Sequence, residues 1–331
     1  MPKDNENIRL PVVGPLEPAE PQGFAPEQMI RCEECLRANP PTRINCLYCS
    51  VPLPVTESSA RLRVPVLRRL EKHESGYNTI MLPGSGRARL ADVASLLRMQ
   101  QEDLERIVAA GVALPVARTA SREEAGLIAE RLQAFGFRVF TLSDEGPVVR
   151  VRSLRFDEGT FVINPGRITN EVDVAWSSVL LLVTGRIVEK RVEVKEVKSR
   201  GVENEILDTT ELFSDEAVID LYAADHSETW RVQANGFDFS CLGAEKNLLA
   251  TENIGRLQTL LAANATTARL DDSYNRLRPL LDLVWSPEQE TKSSGWRRER
   301  PGKLSLGIAT INSSESQFTR YSRLLFYLAT H

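Results

Sequence analysis

Four of the five cysteines lie within eighteen residues near the start of the chain, and they constrain its fold more than any other feature. The segment RCEECLRANPPTRINCLYC gives them the spacing C-x2-C-x10-C-x2-C. Each C-x2-C pair turns two thiolates towards one point, and two pairs provide the tetrahedral four-sulfur site that suits zinc. We therefore expect Cys32, Cys35, Cys46 and Cys49 to bind one structural zinc ion, because four thiolates leave no open coordination position.

The ten residues between the two pairs are too few to bury a core, so the metal would supply the folding energy of this segment. The ANPP sequence is typical of a turn, in which Asn39 tolerates left-handed geometry. A redox-active pair and a chance spacing are the alternatives. A single cysteine cluster in an otherwise cysteine-poor chain favours a metal in a reducing compartment over a disulfide framework.

The cysteine segment resembles the small zinc ribbons of bacteria, with Asn-Pro after the first cysteine pair and the ending CSVPL. The glycine that usually follows each pair in those ribbons is replaced by Leu36 and Ser50. The spacing is also similar to that of Ran-binding-type zinc fingers. Those fingers carry a tryptophan two residues before the first cysteine, where this chain has Ile30. The resemblance therefore implies a zinc-stabilised binding module but not the base stacking of that family.

Length and composition indicate several ordinary globular units. The chain has 331 residues, a formal net charge of -4 and a pI of about 5.7, which gives no overall positive field for nucleic acid or membranes. It has neither a secretory signal pattern nor a run of 18 apolar residues, so we expect a cytoplasmic protein of bacterial type without a membrane span. The predicted boundaries are a disordered tail at 1–28, a zinc ribbon at 29–53, a linker at 54–76, an α/β module at 77–146, a β domain at 147–265 and a C-terminal helical extension at 266–331.

The module at 77–146 has the predicted order β-α-α-β-α-β. A capping box, Ser121 with Glu124, begins its third helix, and Gly136 ends it. This order and the AFGFRVF ending resemble the C-terminal domain of the bacterial ribosomal stalk protein and the related ClpS adaptor fold. The resemblance implies the fold only, because the lysine-rich factor-binding surface of the stalk family is not evident here.

Residues 147–265 predict about seven antiparallel strands followed by a helix, and SVLLLVTG and RIVEKRVEVKEV are two of the separate strands. RVEVKEV alternates valine with charge, which indicates a strand with one buried face. Leu248 and Leu249 are assigned to the apolar side of the closing helix. The segment VDVAWSSVLLLVTG is similar to part of bacterial pleckstrin-homology-like domains, which implies an antiparallel barrel closed by a helix. The fold class expected for the whole chain is therefore multidomain α+β.

The C-terminal region combines two helices with a polar, basic stretch. Asp271 or Asp272 is expected to cap the first helix. The basic stretch contains Trp296, Arg297, Arg298, Arg300 and Lys303, which could contact nucleic acid, although a solvated loop is the preferred interpretation.

No sequence pattern predicts catalysis. His73, His226 and His331 lie in loop or terminal contexts, and Cys241 has apolar neighbours typical of a buried, unreactive thiol. We therefore expect a zinc-binding adaptor or regulatory protein, not an enzyme, that acts on an unidentified protein partner. An RNA- or ribosome-associated protein is the first alternative, and an enzyme with an unrecognised site is the second.

Overall fold

The computed structural model describes residues 23–54, 56, 59, 62–63, 67–68, 70–71, 74–84, 89–166, 170–199, 205–300 and 303–331. Most of the predicted tail and linker lies outside these residues. The chain divides into two compact units, Met1–Val64 and Pro65–His331. Within the described residues, no helix is both long and apolar enough to cross a membrane.

The first unit contains a small cysteine ribbon. Strands β1 (Ile30–Arg31) and β2 (Ala38–Asn39) pair antiparallel, and Asn45 forms a bridge with Pro52. Ile30, Cys32, Cys46 and Leu53 are buried together as a miniature core. Four side chains cannot supply the stability of a domain, which agrees with a fold that depends on bound metal.

The second unit begins with an α/β module. Its elements are β3 (Tyr77–Met81), α1 (Leu90–Leu97), α2 (Gln101–Ala109), β4 (Leu114–Thr119), α3 (Arg122–Ala134) and β5 (Val139–Ser143). Strand β3 lies between β4 and β5 and is antiparallel to both. The Ser121 side chain accepts a hydrogen bond from the Glu124 N–H at 3.3 Å, which confirms the predicted cap of α3. Gly136 ends the helix with a φ of +84°.

Two sheets follow the module. Strands β7 (Ser153–Phe156), β8 (Thr160–Asn164) and β9 (Val172–Ala175) form one antiparallel sheet, and the larger sheet contains β6 (Val148–Arg150), β10 (Val179–Ser199), β11 (Glu205–Ala223) and β12 (Thr229–Gln233). The result is a mixed α+β fold in which one sheet curls into a half-barrel. Helix α4 (Ala250–Asn264) buries Ile254, Leu257 and Leu261 against it.

Two local predictions in this region are wrong. SVLLLVTG and RIVEKRVEVKEV, read as separate strands, form the single 21-residue strand β10. Leu248 and Leu249 precede α4 and are exposed, because Asn253 of the helix holds the loop before it: the Asn253 amide donates to the Asn247 carbonyl at 2.7 Å and accepts from the Asn247 N–H at 2.6 Å.

The C-terminal region adds both helices and strands. Its elements are β13 (Arg269–Asp271), α5 (Tyr274–Leu281), β14 (Glu288–Arg300), β15 (Lys303–Ser313) and α6 (Glu315–Thr330). The larger sheet has the order β14-β15-β10-β11-β12-β6, and β13 pairs with β10. Ser273, not an aspartate, occupies the N-cap position of α5, because Asp271 belongs to β13 and accepts a hydrogen bond from the Ser273 N–H at 3.0 Å.

The cores of this unit overlap the predicted domain boundaries. One apolar cluster combines the inner face of the α/β module with α5, α6 and part of β10, and a second fills the half-barrel beneath α4. Trp285 donates a hydrogen bond from its indole N–H to the Asn78 side chain at 2.7 Å, with both residues buried. The α/β module therefore packs against the C-terminal helices.

Candidate metal centre

The two cysteine pairs lie in loops of the same backbone design. In the first, the Cys32 N–H donates to the Arg37 carbonyl and the Leu36 N–H to the Cys32 carbonyl, both at 3.0 Å. In the second, the Cys46 N–H donates to the Val51 carbonyl at 2.8 Å and the Ser50 N–H to the Cys46 carbonyl at 3.0 Å. The repeated pattern brings all four thiols to one point.

Both loops need a left-handed residue one position after the second cysteine. Leu36 has a φ of +58° and Ser50 a φ of +61°. Glycine adopts this conformation without steric cost, so it would be the unstrained residue at both positions. The chain therefore keeps the loop geometry with residues that are strained in it.

The sulfur geometry fits one tetrahedral ion. All four Sγ atoms lie within 4.8 Å of one another, and the Cys32–Cys49 and Cys35–Cys46 pairs are each 3.5 Å apart. Zinc–sulfur bonds of about 2.3 Å place the ligands of a tetrahedron about 3.8 Å apart. The same separations are too long for disulfides, and all four cysteines are free. The cluster could thus hold a metal ion through the four residues that the sequence predicts.

Asn39 ties the two loops together from β2. It is fully buried, and its amide donates to the Arg37 carbonyl at 2.9 Å and to the Cys46 Sγ at 3.4 Å. Its side-chain oxygen accepts from the Leu47 N–H at 2.8 Å. The prediction of Asn39 as a left-handed turn residue is wrong: this asparagine orients a ligand through its side chain.

The electrostatic environment gives the thiols of Cys46 and Cys49 very different pKa values. Burial opposes ionisation of Cys46, but hydrogen bonds from the Tyr48 and Cys49 N–H groups outweigh it and lower the pKa of this thiol to about 6. At Cys49 the Val51 N–H favours the thiolate, yet burial and the neighbouring thiols outweigh it and raise the pKa to about 12. A cation bound by all four sulfurs would remove this competition, because each ligand could then ionise.

The ribbon carries an apolar outer surface. Leu36, Leu47, Tyr48 and Val51 are exposed, and the Arg37 guanidinium lies over the Tyr48 ring at 4.7 Å from its centroid. Ile30, which stands where Ran-binding-type fingers have tryptophan, is buried in the ribbon core. That position therefore has no exposed side chain on which a nucleic-acid base could stack.

The basic stretch is part of a sheet. Trp296, Arg297, Arg298 and Arg300 belong to β14 and Lys303 to β15, so the loop interpretation is wrong for the backbone, and these five side chains lie outside the part of the structure that is described. Strand β14 could not be predicted from the sequence, because its residues are almost all polar and show little apolar alternation. Sequence analysis did not identify Lys198 of β10 as part of this basic region. In the register of the sheet, Lys198 and Arg298 both pair with Leu304 and therefore lie in one row.

The remaining candidates show no catalytic arrangement. His226 packs edge-on against Trp230, His331 ends α6, and His73 lies outside the described residues. Burial raises the pKa of the Cys241 thiol to about 11, which disfavours a nucleophilic role.

A cavity of about 840 Å³ lies between the α/β module and the residues after α5. Its described lining contains no histidine or cysteine, and its buried arginines are occupied: Arg118 bonds Asp144 at 2.5 Å, and Arg320 bonds Asp144 at 3.2 Å and Glu288 at 2.9 Å. This charge network stabilises the wall of the cavity and provides no nucleophile with an adjacent base.

Comparison with known proteins found no matching family model, no matching curated protein and no matching solved structure.

Proposed function

We propose that the protein is a zinc-binding adaptor or regulatory protein that acts by contact with another protein in a reducing cytoplasm. The observation that carries the proposal is the combination of a four-thiolate cluster with four exposed apolar side chains around it. A closed zinc site is structural. It would hold Leu47 and Tyr48 rigidly in solvent, where a partner can bury them with little loss of conformational entropy.

The sequence resemblances support the same proposal more generally. Residues 77–144 resemble the stalk and ClpS families in their pattern, and residues 147–263 weakly resemble pleckstrin-homology-like domains. All of these are binding modules. The proposed metal is zinc, held by Cys32, Cys35, Cys46 and Cys49.

Affinity capture with ribbon variants tests this function. The zinc-loaded full chain is used as bait in host lysate, and partners are identified by mass spectrometry. A partner retained by wild type should be lost with the double variant Leu47→Ser and Tyr48→Ser. The control Leu248→Ser and Leu249→Ser removes two exposed leucines elsewhere and should keep the partner. Equal recovery with both variants would contradict a ribbon interface.

An RNA- or ribosome-associated function is the second candidate. It is favoured by the register that places Lys198 and Arg298 in one row, on either side of Leu304. Basic residues that share one face of a sheet suit a phosphate backbone. RNA affinity should then fall steeply with salt, and the double variant Lys198→Ala and Arg298→Ala should reduce the salt slope by about two. Binding that is insensitive to salt would exclude this function.

A further inference from the structure

The distal parts of four strands form a projecting sheet, which we call the arm: residues 189–199 of β10, 205–216 of β11, 288–300 of β14 and 303–313 of β15. Strand β12 pairs with β11 only at residues 218–221, which lie outside the arm. Strands β11 and β14 are therefore the two edges of the arm.

One face of the arm is apolar. Val192 pairs with Thr310, Val194 with Ile308, Glu196 with Leu306 and Lys190 with Phe213, and paired residues of an antiparallel sheet share a face. We call the face that contains Val192, Val194, Leu306, Ile308 and Phe213 the valine face. The opposite face at the same level carries Glu193, Ala309 and Lys292. The alternation of Val192 and Val194 with charged residues thus reflects this two-sided sheet, whereas Val197 pairs with Ser305 on the opposite face.

Four of the five apolar side chains of the valine face are partly exposed, and the fifth, Phe213, is exposed. None of its five apolar residues belongs to either hydrophobic core of the unit, and Phe213 is 71% exposed. A sheet with one apolar face is stable when that face is buried against another layer. The strand pattern therefore indicates a face suited to burial, and neither core of the described residues supplies a second layer for it.

The valine face carries charged and polar residues around its apolar centre. Lys190 and Glu211 form an ion pair at 2.9 Å. By register, Glu196, Lys198 and Arg298 lie on the same face. Thr310, Thr291 and Thr209 also surround the apolar centre. A polar rim around an apolar centre is the usual anatomy of a protein interface.

The size of the face matches that of a dimer interface. Ten residue steps along β10 span about 33 Å, and four strands are about 19 Å wide, so the whole face of the arm, its polar residues included, covers roughly 600 Å². Two copies that pack over the whole face would bury about 1,200 Å², the lower limit for specific complexes. A second arm has the same twist and the same apolar residues, and sheets with similar twist pack face to face about 10 Å apart.

We infer that the protein is a homodimer in which the valine faces of two arms pack against each other. This inference is independent of the proposed adaptor function, because it uses no residue of the ribbon. Sedimentation velocity of the zinc-loaded full chain between 1 and 100 µM tests it, with a chain mass of 37.0 kDa as the monomer reference. Wild type should sediment as a dimer at the upper concentrations.

Two neighbouring residues of β15 provide a matched pair of variants. Ile308→Asp places a charge on the valine face, and Ala309→Asp places the same charge one residue away on the opposite face. Ile308→Asp should weaken the dimer at least tenfold, whereas Ala309→Asp should change it less than twofold. Val194→Asp, the cross-strand neighbour of Ile308, should repeat the first result. Circular dichroism confirms that each variant is folded, and a misfolded variant is replaced by Val192→Lys.

Three outcomes would overturn the inference. A monomeric wild type at 100 µM excludes the second copy as the occupant. Equal weakening by Ile308→Asp and Ala309→Asp locates the dimer contact elsewhere. A monomeric wild type that binds phosphatidylglycerol vesicles, with binding lost in Ile308→Asp, would assign the face to a lipid surface instead.

Discussion

Replacing Leu36 and Ser50 by glycine should strengthen zinc binding. Both residues hold positive φ values in the two cysteine loops, +58° and +61°. A left-handed conformation costs a residue with a Cβ about 1–2 kcal/mol. Leu36 is 59% exposed, so truncating its side chain removes little buried surface.

The expected gain is smaller than the relieved strain, because glycine also increases the entropy of the unfolded chain. That term is about 0.5–1 kcal/mol, which leaves a net gain of about 0.7 kcal/mol for each replacement. Folding and metal binding are coupled in such ribbons, so the gain appears as zinc affinity. Each single variant should bind zinc about threefold more tightly, and the double variant about tenfold.

Competition with a chromophoric zinc chelator measures these affinities in the full chain. Leu47→Gly is the matched control, because Leu47 is also an exposed ribbon leucine but does not have a positive φ. It should weaken zinc binding, since glycine there adds unfolded-state entropy and relieves no strain. If Leu36→Gly weakens binding as much as Leu47→Gly, the assigned loop geometry is wrong.

Three further predictions concern other sites. Cys46→Ser leaves three thiolates and should abolish stoichiometric zinc in elemental analysis. Thermal unfolding followed by tryptophan fluorescence should stay unchanged, because all four tryptophans lie beyond residue 175 and report on the second unit. Loss of both zinc and thermal stability would contradict separate folding of the two units. Asp220→Asn should destabilise the protein by about 3 kcal/mol in urea unfolding. Arg231, bonded to Asp220 at 2.7 Å and 1% exposed, would remain charged with only the longer contact to Glu315 at 3.5 Å. The double variant Asp220→Leu and Arg231→Leu should lose less, and an equal loss would refute the cause. Burial raises the pKa of the Cys241 thiol to about 11 in the folded protein. Its alkylation at pH 8 should therefore be about 100-fold slower than in urea, and the rate should rise about tenfold for each pH unit. Rapid alkylation of the native protein would show that the thiol is accessible and ionised.

The cysteine cluster could be predicted from sequence because its determinants are local. Two C-x2-C pairs fix their own loop geometry, and the four ligands converge as the spacing indicates. The role of Asn39 could not be predicted, because it depends on contacts with Arg37, Cys46 and Leu47 across both loops. The repeated loop geometry at Leu36 and Ser50 could not be predicted either, since neither residue type favours a positive φ.

Gly185 explains why the sequence predicts two strands where the structure has the single strand β10. Glycine between two apolar runs is typical of a turn, and the two halves of β10 were separated there. In the structure a Cβ at this position would lie 2.7 Å from ring atoms of both Phe318 and Tyr274. The glycine is therefore required by the close approach of α5 and α6 to the strand, which is a long-range contact that no local pattern reveals.

The β14–β15 hairpin also could not be predicted from local sequence. The sequence of β14 is almost entirely polar, and a strand of this kind is identified only through its neighbour. Its partner β15 does alternate, with Leu306 and Ile308 on one face and Ala309 on the other, and β15 in turn pairs with β10. Once β10 is continuous, β15 and β14 complete a four-stranded layer whose apolar side is shared by Val192, Val194, Leu306 and Ile308. Alternation in a sequence identifies which face of a strand is suited to burial but not what buries it. For the valine face, no second layer lies among the described residues of the hydrophobic cores, and we infer that a second copy of the chain supplies it.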